Sequence, residues 1–273
     1  MEVIVKTNYD QICDETVGLI HKAWQKKKNL VIGLATGKTP LGVYEGLIRL
    51  YGEGRMDFSE VITFGLDEYL GLGEDHPESF MFYLKKNLYQ HVNIKKENIL
   101  GLDGFPENIE NHCQKYEDRI KGVGGIDIQI LGIGKNGHIG FNEPSSSLAS
   151  RTRIKTLTRE TIDANSRFFQ DSNEIPRYCL TMGIGTIMES GTVILLASGK
   201  DKSLAIQQSI EGPISATVPA SILQLHPHAK FICDEDAASQ LSRKDYYKWV
   251  YDHKDKVDEF LKKTPSDQDM KKE

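Results

Sequence analysis

The sequence predicts an α/β fold with a mostly parallel sheet and crossover helices. Short β-rich runs alternate with amphipathic helical stretches along the whole chain, and two of those runs lead straight into glycine-rich turns. Candidate strands are Val3–Lys6, Leu30–Ala35, Val61–Gly65, Ile126–Ile133, Thr192–Ser198 and Lys230–Cys233, with Asn98–Leu102 a weaker seventh. Between them Ile12, Thr16, Leu19, Ile20, Ala23 and Trp24 fall at helical spacing, as do Ile109, Cys113, Tyr116 and Ile120, and each set makes one apolar stripe that packs on a core. Val250, His253, Val257 and Leu261 continue the pattern in a charged C-terminal helix.

With 273 residues, 39% of them hydrophobic, the chain can bury a sizeable core; one domain over residues 1–263 and a polar, frayed tail at 264–273 are expected. Apolar runs such as Val193–Ala197 have strand length, far short of the roughly 20 residues a bilayer span needs. The start, Met1 to Lys6, lacks the basic opening and long apolar region of a signal peptide, so a cytoplasmic address is expected. Cys13, Cys113, Cys179 and Cys233 are scattered without a CxxC pair, which predicts free thiols and neither a disulfide framework nor a zinc site. A formal charge of −5 argues against nucleic acid or an anionic membrane as partner. Any basic cluster should therefore serve a small anion.

The segment Gly33-Leu34-Ala35-Thr36-Gly37-Lys38-Thr39-Pro40 leaves a strand and enters a helix, with Thr39 expected as N-cap and Pro40 at the first helical position. Free amides and the helix dipole suit a phosphate there. A nucleotide P-loop needs four residues between its first glycine and the Gly-Lys pair, whereas Gly33 and Gly37 enclose three. An ordinary strand-to-helix turn is the plain alternative.

Gly132-Ile133-Gly134-Lys135-Asn136-Gly137 satisfies the dinucleotide pattern GxGxxG after a buried strand. The residues from His138 to Pro144 do not continue as an amphipathic helix, and the expected acid about 20 residues on is missing, so a nicotinamide or flavin site is disfavoured. Instead, His138 and Glu143 lie close together beyond a strand's C-terminal end, where open α/β sheets place ligands; a carboxylate-oriented imidazole is a usable acid/base at neutral pH. A structural histidine is the alternative. Asp67, ending another apolar strand, is a candidate base or else a turn carboxylate. Arg167 and Lys202 are either solvated charges or, with the first glycine loop, a phosphate clamp.

Taken together, GLATGKTPLGVY, FGLDEYLGL with HPESF close behind, LGIGKNGHIGFNEPSSSLASRTRIKTLT, ANSRFF, LTMGIGTI, SGKDKSLAIQQSIEG and LQLHPHAKFICDE resemble glucosamine-6-phosphate deaminases over nearly the whole chain. The resemblance implies a modified Rossmann-like three-layer αβα sandwich and conversion of glucosamine-6-phosphate and water to fructose-6-phosphate and ammonia, with no redox cofactor or metal. It assigns His138, backed by Glu143, to ring opening, Asp67 to proton transfer from C2 towards C1, and Thr36, Gly37, Lys38, Thr39, Arg167 and Lys202 to the phosphate. Two positions depart from the family pattern: many members have Asp at Asn136, which here can orient but not take up charge, and Lys38 stands where Gly or a small residue is usual.

The resemblance also implies a homo-hexamer activated by N-acetylglucosamine-6-phosphate, with Ser146, Arg153 and Lys155 at the effector site and Tyr247 as the C-terminal tyrosine belonging to it. The rival readings are a 6-phosphogluconolactonase-like hydrolase, which has no use for Asp67 as proton shuttle, and a non-catalytic sugar-phosphate sensor.

Overall fold

The computed structural model describes residues 1–159, 162 and 175–254. All seven expected strands are present: β1 (Glu2–Lys6), β2 (Val31–Leu34), β3 (Ile62–Gly65), β5 (Ile99–Leu100), β6 (Ile128–Leu131), β9 (Thr192–Ala197) and β10 (Ala229–Asp234). They form one sheet in the order β1-β10-β9-β6-β2-β3-β5, and every pairing in it is parallel. Most are shorter than expected at one or both ends, because flanking apolar residues such as Leu30 and Ile133 are buried without continuing the ladder.

Alternation along each strand feeds two cores. Val193, Leu195 and Ala197 of β9 pack with Cys113, Tyr116 and Ile120 of α4 (Ile109–Gly122), with Ile184 and Ile187 of α5 (Ile184–Met188) and with Ala205, Ile206 and Ile210 of α6 (Ser203–Ile210). Ile194 and Leu196 point the other way, into a layer built from Ile12, Val17 and Ile20 of α1 (Tyr9–Lys26) and Val43, Tyr44 and Leu47 of α2 (Leu41–Gly52). A sheet apolar on both faces with helices on each is the three-layer sandwich. The helix starts follow local chemistry: Asn8 accepts from the Gln11 amide at 3.0 Å and Asn108 from the Asn111 amide at 2.8 Å.

Two expectations need correction, and one feature was not expected. At α2, Pro40 and not Thr39 is the N-cap, and no side chain caps it, since Pro40 is already in the helical region (φ −83°, ψ −5°) and its carbonyl accepts from Tyr44. In α7 (Lys244–Asp252) the inward stripe is not Val250 and His253: Val250 is exposed, while Tyr247 and Tyr251 pack on the two cores, Tyr251 donating to Glu15 at 2.6 Å. A second sheet was not anticipated at all. β4 (Asp67–Tyr69), β8 (Tyr178–Thr181) and β7 (Arg153–Thr156) pair antiparallel in the order β4-β8-β7. Arg167, Val257, Leu261 and the 264–273 tail lie outside the described residues.

Candidate active site

β3 and β5 lie on one side of β2, and β6, β9 and β10 on the other, so the chain reverses its direction of growth between β2 and β6. The C-terminal ends of strands at such a switch point form the ligand crevice of an open α/β sheet. β9, β6, β2 and β3 are consecutive neighbours there, which gathers Lys202, the Asn136–Glu143 loop, Thr36–Thr39 and Asp67 along one edge. Lys135 Nζ, 3.5 Å from Asp201 Oδ2, joins two of these loops. Cavities of about 310 and 260 Å³ line α1 and the strands' N-terminal ends instead, away from this crevice.

Asp67 opens β4 immediately after the chain leaves the parallel sheet, where the Leu66 carbonyl accepts from Met182. The residue is 9% exposed, and Oδ1 is buried without a hydrogen-bond partner. Burial, then the neighbouring Glu68 charge, pushes its pKa up to about 8. Glu68 itself is buried against four donors: the amides of Tyr69 (2.9 Å), Phe80 (3.0 Å) and Met81 (2.9 Å) and the Ser79 hydroxyl (2.9 Å). Ser79 caps α3 (Phe80–Asn87), so Glu68 fastens the acid strand to a helix N-terminus. Sequence reasoning gave Glu68 no role, although two consecutive acids at a strand end were a signal that one of them needed its own donors.

In the second loop Gly134 makes room for the histidine and Gly137 for Val218. A Cβ on Gly134 would stand 2.2 Å from His138 Cε1, so the imidazole lies flat on that backbone, and Gly137 turns at φ +83°. Asn136 Oδ1 is 2.7 Å from His138 Nδ1, Asn136 Nδ2 donates to Glu143 Oε2 at 2.9 Å, and that oxygen is 3.2 Å from Nδ1. The buried carboxylate demands a donor, which orients the amide with its oxygen towards His138 and places the proton on Nδ1. Nε2 then carries the lone pair that exchanges protons. Asn136 is thus wedged between the ring and Glu143, and it is the nearer partner of Nδ1. The Thr181 hydroxyl accepts from the Phe141 amide at 3.1 Å, and Thr181 is also the strand partner of Asp67, so Asp67 and the His138–Glu143 loop share one support.

In the first glycine loop Gly37 turns at φ +94°, and among the described residues no acceptor is found for the Lys38 or Thr39 amides. Lys202 is half-buried in the turn after β9, where burial lowers its pKa, and Gly199 holds that turn at φ +93° with its amide on Asp234. Ser146 has a buried hydroxyl without a partner, Arg153 Nη1 donates to Asn142 Oδ1 at 2.9 Å, and Lys155 is half-buried on β7. Tyr247 is not brought to them. It sits on α7 against Glu211, in a helix packed on the β1 edge.

The profile of the family "glucosamine-6-phosphate isomerases/6-phosphogluconolactonase" matches residues 6–232. A glucosamine-6-phosphate deaminase of Thermoanaerobacter pseudethanolicus is 49% identical over 245 residues, 90% of this chain and 97% of that one. The chain belongs to this family. Among solved structures, a monomeric glucosamine-6-phosphate deaminase is 40% identical with a TM-score of 0.85, covering 88% of this chain and 99% of its own. A 6-phosphogluconolactonase of Leishmania guyanensis, 20% identical with a TM-score of 0.68 over 88% of this chain and 98% of that one, shares the fold.

Proposed function

We propose that this enzyme converts glucosamine-6-phosphate and water to fructose-6-phosphate and ammonia, a step of amino-sugar catabolism. The observation that carries the reading is Asp67: a buried carboxyl with a free oxygen and a pKa near 8 is poised to take a proton from carbon and return it. His138, oriented through Asn136 and Glu143, takes the C1 hydroxyl proton on Nε2 and hands it to the ring oxygen as the C1–O5 bond breaks, which opens the pyranose ring. Asp67 removes the C2 proton of the open aldose while a proton passes from the C2 ammonium to O1, giving an enolamine, and Asp67 then delivers its proton to C1. The resulting ketimine takes up water at C2 and expels ammonia. The substrate's ammonium at C2 favours the ionised form of Asp67, since an opposite charge lowers a carboxyl pKa. Thr36–Thr39, Lys202 and Arg167 hold the phosphate in this reading. A lactonase has no carbon proton to move, and the lactonase relative is far more distant than the deaminases.

The test is release of ammonia and fructose-6-phosphate from glucosamine-6-phosphate in metal-free buffer, by wild type, Asp67→Asn and His138→Gln. Turnover lost in both variants supports the assignment. Binding without product in the wild type points to a sensor, and turnover of 6-phosphogluconolactone to the hydrolase.

The same reading includes a homo-hexamer activated by N-acetylglucosamine-6-phosphate at Ser146, Arg153 and Lys155. Its support is the unpartnered Ser146 hydroxyl and the Arg153–Asn142 bond, which reaches the residue beside Glu143. Because a 40% identical relative is monomeric, family membership leaves the oligomeric state open. Tyr247 enters such a site only from a neighbouring subunit. Sedimentation and substrate curves with and without the effector test this; a hyperbolic curve unchanged by the effector in a stable oligomer sinks it. A cytoplasmic address completes the reading, supported by four buried, unpaired cysteines. Cell fractionation tests it.

A further inference from the structure

Two tyrosine hydroxyls from separate helices converge on the carbonyls of the first glycine loop. Tyr83, on α3, donates to the Gly37 carbonyl at 2.5 Å. Tyr9, in the first turn of α1, donates to the Lys38 and Thr39 carbonyls at 3.2 and 3.0 Å and accepts from the Gly42 amide at 2.9 Å. In a planar trans peptide the carbonyl and the following N–H point in opposite directions, so fixing one aims the other. Pinning the Gly37 carbonyl turns the Lys38 amide away from α3, and pinning the Lys38 carbonyl does the same for Thr39. Pro40, after the third pinned carbonyl, has no N–H to aim.

We propose that Tyr9 and Tyr83 are positioning residues for phosphate, aiming the Lys38 and Thr39 amides at the anion before it arrives. The inference rests on the first glycine loop as the seat of the substrate's phosphate. Without the clamp, Gly37 lets the loop turn its carbonyls towards an incoming anion, and binding has to reorganise it. Burial raises both hydroxyl pKa values, Tyr9 to about 12, so both remain proton donors through the physiological range. Tyr83 adds a link to the reacting end of the site. It rides on the helix whose first amides are held by Glu68, beside Asp67, so one short helix spaces the phosphate loop from the base.

The test is Tyr83→Phe, Tyr9→Phe and the double variant, which keep the rings and remove the hydroxyls. Calorimetry measures the Kd of inorganic phosphate, and steady-state assays separate KM from kcat for glucosamine-6-phosphate. Each single variant is expected to raise the phosphate Kd and the KM about 3- to 10-fold, the effect of about one hydrogen bond's net free energy, and the double variant more. The expected kcat stays within about twofold, a split that general loosening of the fold would not produce. Unchanged phosphate affinity in both single variants overturns the proposal, as does a fall in kcat at constant KM, or a wild type that does not bind phosphate. If the wild type binds phosphate but releases no product, the deaminase reading fails while the calorimetry still decides the role of the tyrosines.

Discussion

Asp67→Asn is expected to abolish turnover and yet stabilise the fold, with a pH dependence set by the environment of the carboxyl. Its pKa moves from 3.8 to about 8 on folding. The folded state therefore binds this proton more tightly than the unfolded chain, and the ionisation erodes stability as pH rises between those two values. Each pH unit in that window is worth about 1.36 kcal/mol, so the interval from pH 5 to pH 8 allows a change of about 4 kcal/mol. Solvent reaching a residue that is 9% exposed relaxes part of that cost, which brings the expectation to about 2–3 kcal/mol. Asparagine has nearly the same shape and cannot ionise, so its advantage over the wild type should be small at pH 5 and grow to that size at pH 8. In thermal unfolding this is a Tm difference of roughly 5–10 °C at pH 8. Urea unfolding of both proteins at the two pH values is the primary assay, since pH effects shared by both cancel in the difference. An advantage of equal size at both pH values, or a less stable variant at pH 8, refutes the account of Asp67 as a carboxyl held out of water for its chemistry.

Asn136→Ala removes the acceptor 2.7 Å from His138 Nδ1 and the donor to Glu143 Oε2, and the loss of that orientation should lower kcat for ammonia release by about 10-fold or more while KM stays within about twofold. Gly134→Ala puts a methyl where the imidazole lies, and a displaced ring should lower kcat by about 100-fold or more while circular dichroism is unchanged. Glu68→Gln removes the charge beside Asp67, so the rising limb of kcat/KM should move to lower pH. The same change disturbs three hydrogen bonds at the start of α3 and one to the Tyr69 amide, so Tm should fall, opposite to its response in Asp67→Asn.

The parallel sheet was legible because its inner strands are buried on both faces and announce themselves as local apolar runs, as in Val193–Ala197, while the half-buried edge strand β5 gave the weaker signal. The same locality exposed His138, Glu143 and Asp67, since chemistry-bearing residues just past such runs fall at the C-terminal edge of the sheet. The small antiparallel sheet has no local mark. β4 is the tripeptide Asp-Glu-Tyr, and β7 reads Arg-Ile-Lys-Thr with Ile154 exposed, so neither would be a strand without Thr181 and its neighbours to pair with.

Partners that are distant in sequence explain the other omissions too. The hydroxyls of Tyr9 and Tyr83 reach carbonyls 30 and 46 positions away, and the Glu68 carboxylate finds its helix donors only after the chain has looped through 70–79. A tyrosine at the start of a helix reads locally as half-buried packing, and an acid beside a candidate base reads as its understudy. What distinguishes them is which backbone groups they hold, and that is a property of the closed fold. The candidate residues for the chemistry were therefore readable from short motifs, whereas the residues that hold them in place became visible only when strands and helices remote in sequence met at the switch point.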